Sequence, residues 1–244
     1  MKIINIGIVE IIDGIFCTIY VSITIIVGIF IFSKYFIHKK KDFIYVGISW
    51  ISLGCCYLGP ALNFLLIITI NVPLNQYIYL AMLGFAPISV SFFITAIIDF
   101  MIVKPKNQKI ILISTWLLLV IVLTIFYYFL FTNIILIGVF INPYVIHFSL
   151  FTQLYILLSL ILIILMGLLF AKSCFRSDNP EIKLKAKLLM IAFISFSAGA
   201  ILSNFFTEII LIAIGTMILA LSSLEFYVGY ILPEWIKKLF LEDK

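Results

Sequence analysis

Polar and apolar positions are sharply segregated along this chain: long stretches rich in isoleucine, leucine, phenylalanine and valine alternate with short connections that hold most of the charge. Runs at 11–32, 43–70, 77–103, 110–131, 144–171, 188–206 and 209–230 each supply the roughly 20 apolar residues that a helix needs to cross a bilayer. The pattern predicts an all-α, polytopic membrane protein, with a bundle of seven transmembrane helices over 1–232. Several runs exceed the length required, so tilt, kinks or extension beyond the membrane are expected. After Pro233, Trp235, Ile236, Leu239 and Phe240 recur at helical spacing against Lys237 and Lys238. That spacing makes 233–244 an amphipathic juxtamembrane tail whose short helix lies in the interface as an anchor.

The placement of charge orients the bundle. Lys34, Lys39, Lys40 and Lys41 follow the first run, Lys104, Lys106 and Lys109 the third, and Lys172, Arg176, Lys183, Lys185 and Lys187 the fifth; Lys237, Lys238 and Lys244 follow the seventh. Every basic residue except Lys2 thus falls on alternate connections, as the positive-inside rule requires when those connections are cytoplasmic. The N-terminus is expected outside and the C-terminus in the cytoplasm. With 65% hydrophobic and 11% charged residues, the chain is too apolar for a soluble domain. The formal charge of +5 serves orientation and attraction to anionic headgroups, and nucleic-acid binding has no support.

The apolar start carries Glu10 and Asp13 and has no small-residue cleavage site, so it is expected to be a retained first span. Cys17, Cys55 and Cys56 lie in apolar runs and Cys174 in a basic connection, so no disulfide is expected. On the outer side, 71–76 carries Pro73 and predicts a tight turn, and 206–208 barely leaves the membrane. The uncharged, apolar linker 132–143, with Gly138 and Asn142-Pro143, is too hydrophobic for a solvated loop. It is expected in the interface or folded over the outer mouth as a lid.

An ionisable side chain inside a bilayer costs about 2.5–3.5 kcal/mol on lenient scales, so each one calls for a reason. Glu10 and Asp13 share one face of the first helix with Cys17 and Thr24. Asp99 lies below Thr95 and Ser91 on the third, and Glu225 one turn after Ser222 on the seventh, both as polar or switch candidates near the cytoplasmic side. Such carboxylates need protonation, hydrogen bonds or a bound cation. For Asp99 and Glu225, water and the loop lysines at the helix ends suffice; the sharper expectation is a cationic or amine ligand from outside, held by Asp13 with Asn63, His147 or Glu208. Ser52, Cys56, Gly59 and Asn63 line one face of the second helix, where Gly59-Pro60 predicts a kink. Ser195, Gly199 and Ser203 on the sixth run, with Gly215 and Thr216 on the seventh, predict close helix contact.

Catalysis is not expected. There is no HExxH, GxSxG or glycine-rich phosphate loop, and no lysine between 188 and 236 to hold retinal. His38 and His147 lie on opposite sides and cannot share a metal or haem, so no cofactor is expected.

The run YLAMLGFAP at 79–87, the charged connection 177–187 leading into the sixth span, and EFYVGYILPEW at 225–235 together resemble the seven-helix sensor region at the N-terminus of many archaeal and bacterial histidine kinases, and stand-alone archaeal membrane proteins of similar size. The resemblance implies a prokaryotic membrane sensor, without binding residues that can be carried over. Those kinases continue into a cytoplasmic signalling domain that is absent from this sequence, so signalling is expected to pass to a separate cytoplasmic or membrane partner. Two other roles fit the pattern: a small cation- or proton-coupled transporter, and a scaffold subunit of a membrane complex.

Overall fold

The structure is a computed structural model that describes residues 6–98, 105–175 and 177–241. The first apolar run belongs to α1 (Ile8–His38), which outlasts its hydrophobic stretch and ends where Lys39 adopts a left-handed conformation, φ 55°, its N–H bonding to the Tyr35 carbonyl. The second run is two helices, α2 (Asp42–Cys56) and α3 (Leu58–Ile70), bent by 46° at Tyr57. Pro60 lies in the first turn of α3, where it has no N–H to offer the Cys56 carbonyl one turn back and its ring crowds that oxygen.

The third run starts as α4 (Gln76–Ala81), capped by the Asn75 side chain, which accepts from the Tyr77 N–H at 2.9 Å. It passes through a 3₁₀ turn (Met82–Gly84) into α5 (Phe85–Ile98). Then come α6 (Pro105–Thr132), α7 (Leu150–Phe175), α8 (Pro180–Phe205), α9 (Ile209–Ile231) and the short α10 (Glu234–Leu241). Two of the helix starts that differ from the apolar runs have a local physical reason. The sixth helix begins at Pro180 rather than 188, because Asn179 caps it and the polar segment 180–187 is helical although not apolar. The fifth begins at Leu150 rather than 144, because the preceding residues are strand.

Helices take 85% of the described residues, and the fold is all-α. Among the described residues, six helical segments, with 76–98 taken as one, are long and apolar enough to cross a membrane, or seven when the bent α2–α3 pair counts as one; these long apolar helices point to a membrane-embedded protein. α1 packs between α2 and α9, α9 against α8 and α8 against α7, while α5 touches both α2 and α7 and closes a ring. α6 lies outside it, against α4 and α5, and only 11% of its most apolar window is buried, compared with 50% for 76–98. Two glycine pairs mark close helix crossings. A Cβ on Gly28 would lie 2.9 Å from the Gly47 carbonyl oxygen between α1 and α2, and one on Gly199 would lie 2.8 Å from that of Gly215 between α8 and α9.

The linker between α6 and α7 folds into a 3₁₀ turn (Ile134–Leu136) and an antiparallel hairpin, β1 (Gly138–Phe140) with β2 (Ile146–Phe148), in the register Gly138–Phe148, Val139–His147 and Phe140–Ile146. The Asn142 side chain shapes the tip, accepting from the Tyr144 and Val145 N–H groups at 2.8 Å each. Pairing the strands satisfies backbone groups that an apolar segment could not otherwise leave without water.

Candidate functional site

Beneath the hairpin, inside the ring, lies a cavity of about 100 Å³. Ile146 and Phe148 form part of its roof, because strand alternation turns these two side chains toward the bundle. Phe140 packs edge-on against Tyr79 at 5.3 Å and fixes the hairpin to α4. Asn63 pins it further: its amide donates to the Pro143 carbonyl at 2.6 Å, and its oxygen accepts from the Leu74 N–H at 2.8 Å. One buried amide thus ties α3 to the α3–α4 turn and to the hairpin.

Asp13 reaches the cavity from α1 and is 8% exposed. Its carboxylate accepts from the Thr216 hydroxyl of α9 at 2.9 Å, and among the described residues no basic side chain lies within ion-pair distance. The Thr216 hydroxyl is shared, since it also lies 2.9 Å from the Ala213 carbonyl. Opposite, Tyr57 at the α2–α3 break places its hydroxyl 2.9 Å from the Asn204 amide that donates to it and 3.3 Å from the Ser203 hydroxyl. The Asn204 amide also donates to the Ala200 carbonyl at 2.8 Å. The Cys17 thiol donates to the Tyr57 carbonyl, 3.6 Å away, so α1 also supports the break.

Tyr144, from the hairpin tip, completes the polar lining. Its buried hydroxyl has no hydrogen-bond partner among the described residues. Burial, and after it the Glu10 carboxylate, push that hydroxyl up from the usual tyrosine value, so it stays protonated and available to donate. The cavity therefore combines a carboxylate with one shared donor, an unused hydroxyl, and a Tyr57–Ser203–Asn204 cluster within apolar walls. Buried polar groups ordinarily find partners, so this set is suited to waters or a small cation.

Of the four ligand-binding candidates, Asp13 alone lines the cavity. Asn63 acts on its roof rather than its interior. His147 sits between Ile146 and Phe148 and is exposed, because its strand position turns it away from the bundle. Glu208 is exposed at the α9 N-cap, where its backbone carbonyl rather than its side chain accepts the first helical N–H groups. Neither is brought to Asp13. Among the described residues Glu225 forms no ion pair with a loop lysine, and its Oε2 atom is buried without a hydrogen-bond partner. Asp99 lies outside the described residues.

Sequence reasoning took Ser203 and Thr216 for packing positions and passed over Tyr57, Tyr144 and Asn204. The signal available for Tyr57 was its place three residues before Pro60, at the point where a kinked helix turns a side chain inward.

A second cavity, of about 700 Å³, opens in the same ring toward the basic connections. Leu53 and Phe196 line the first cavity, while Trp50 and Phe193, three residues earlier on the same helices, line the second. On each helix the two lining positions are less than one turn apart, a rise of about 4.5 Å. Trp50 meets Phe226 at 4.1 Å and Phe193 meets Phe226 at 4.8 Å between ring centres. No protein-family model, curated protein or solved structure matches the chain.

Proposed function

We propose that this chain is a non-enzymatic, seven-helix membrane sensor with its hairpin end outside and its basic end in the cytoplasm, responding to a small cation or amine at Asp13. The observation that carries this reading is the buried Asp13 carboxylate, met by one shared hydroxyl inside a cavity roofed by a pinned hairpin. A cation there would supply the charge that Asp13 lacks. The orientation rests on the basic connections around α1–α2 and α7–α8.

The output follows from connectivity. Thr216 is on α9, which ends at Leu232 in a left-handed conformation, φ 52°, and continues through Pro233 into α10. Ile236 of α10 is buried with Leu184 and Leu232, and Lys237 lies 3.4 Å from Glu181 of α8. A ligand that competes for Asp13 changes the α1–α9 contact and, through α9, the seat of α10. A separate cytoplasmic or membrane partner would read that change.

The test is purification of tagged wild-type and Asp13→Asn protein from native membranes in mild detergent, followed by mass spectrometry of bound small molecules and proteins. A cationic molecule retained by wild type and lost from Asp13→Asn, together with a signalling protein, is the expected result. Identical small-molecule profiles in the two samples would sink the cation site, and absence of any signalling protein would sink the sensing role.

The stacked cavities favour a second reading, a small cation- or proton-coupled transporter, in which the Trp50–Phe193–Phe226 partition is the barrier between the two ends. Uptake of the retained cation into proteoliposomes would move the assignment to transport.

A further inference from the structure

The larger cavity has an architecture unlike the Asp13 site. Lys34 and His38 lie one turn apart on α1, Lys40 stands in the α1–α2 connection and Lys185 on α8, so three segments bring basic side chains to its wall. Among the described residues, Asp42 is the acidic residue on that wall. The deeper surface is apolar and aromatic, built from Trp50, Phe93, Phe193 and Phe226, with Phe93 and Phe193 5.5 Å apart between ring centres.

We propose that this cavity binds an anionic amphiphile, with a phosphate or carboxylate head held by Lys34, Lys40 and Lys185 and a hydrocarbon body lying against the Trp50–Phe193–Phe226 surface. Basic pockets between membrane helices on the cytoplasmic side bind anionic lipid headgroups, whereas lysines on an open surface attract them only diffusely. Here the basic groups converge on an apolar interior that a simple inorganic anion would leave unused. The volume, about 700 Å³, falls within the range of small-molecule sites, roughly 300–1,000 Å³, which favours a small amphiphile over an inserted protein segment. The proposal is independent of any ligand at Asp13.

Trp50 provides the readout, since it lines the cavity and is 6% exposed, while the other two tryptophans, Trp116 and Trp235, are outside it and far more exposed. In detergent-solubilised W116F/W235F protein, Trp50 fluorescence is titrated with phosphatidylglycerol carrying brominated acyl chains, with the matching phosphatidylcholine, and with brominated stearate. Saturable quenching by the anionic probes, about tenfold or more tighter than by phosphatidylcholine, is expected, with little competition from inorganic phosphate. Tighter binding of phosphatidylglycerol would identify a membrane lipid as the source, and tighter binding of stearate a free amphiphile; either supports the site.

Adding K34Q/K40Q/K185Q should weaken the anionic probes about tenfold or more. The matched K183Q/K187Q/K238Q change, at exposed lysines outside the cavity, should not. Equal quenching by phosphatidylcholine, equal losses in the two triple variants, or full competition by inorganic phosphate would overturn the proposal. So would a Trp50 response to a synthetic polyglutamate peptide and to none of the amphiphiles, which would assign the cavity to an acidic protein segment.

Discussion

Gly199 and Gly215 face each other across the α8–α9 crossing so closely that a Cβ on either would stand 2.8 Å from the other's carbonyl oxygen. Backbone rather than a flexible side chain is the obstacle, so the helices must separate to admit a methyl group. Gly215→Ala is expected to cost about 1–3 kcal/mol, a fall of about 2–12 °C in melting temperature. Ala198→Leu, at an exposed position on α8 beside Gly199, should leave melting close to wild type. Thermal unfolding in detergent checks both, and an unchanged Gly215→Ala midpoint would show that this crossing is looser than described.

Thr216→Val keeps the shape of the side chain and removes the donor to Asp13. The buried carboxylate then loses its hydrogen bond, a loss of about 1.5–3 kcal/mol when the acceptor is charged. In an Asp13→Asn background the same change should cost clearly less. Denaturant unfolding of the two single variants and the double variant gives the coupling directly, and strict additivity would mean that the 2.9 Å contact contributes nothing.

Asn63→Leu removes the hairpin's bond to the Pro143 carbonyl and the α3–α4 turn's bond from the Leu74 N–H. Each buried group left without a partner costs about 1–3 kcal/mol. The local consequence is faster amide hydrogen exchange over 138–148 and 72–75, with α8 and α9 protected as before. Uniform acceleration across the chain would place Asn63 in the global core and not in the support of the roof.

Lys237 donates to Glu234 at 3.1 Å and lies 3.4 Å from Glu181. These contacts, Glu234 first, raise its pKa above the ordinary 10.5. A raised lysine value stabilises the docked α10 fully below pH 10.5, and that contribution disappears as pH rises through the raised value. Spin labels at exposed positions 183 and 238, in a cysteine-free background, should report a constant separation below pH 10.5 and a broader distribution as the pH rises through the raised value. Lys237→Gln should show the broader distribution throughout; an unbroadened one would mean that Ile236 alone seats the helix.

The long apolar helices and the segregation of basic residues were legible because both follow from the cost of placing charge and unpaired backbone in hydrocarbon. The bend near Gly59-Pro60 was legible for an equally local reason, the missing N–H of Pro60. The site was not. Tyr57 meets Asn204 across 147 positions and Asp13 meets Thr216 across 203, and which helices adjoin is decided by the whole ring and not by any run. His147 illustrates the same limit: three-residue strands are too short for alternation to be read, so nothing in the sequence shows that this side chain faces away from Asp13.

The light hold on α6 gives the chain a place where substitution is easy. Leu117 and Val120 are each 60% exposed, so their identity is set by the surrounding solvent rather than by a neighbouring helix. Other apolar residues there would be interchangeable, and a fluorophore or covalent tether could be attached without disturbing the glycine crossings of α1–α2 and α8–α9. The outermost helix is thus the natural handle by which the protein can be immobilised or observed while both cavities are left as they are.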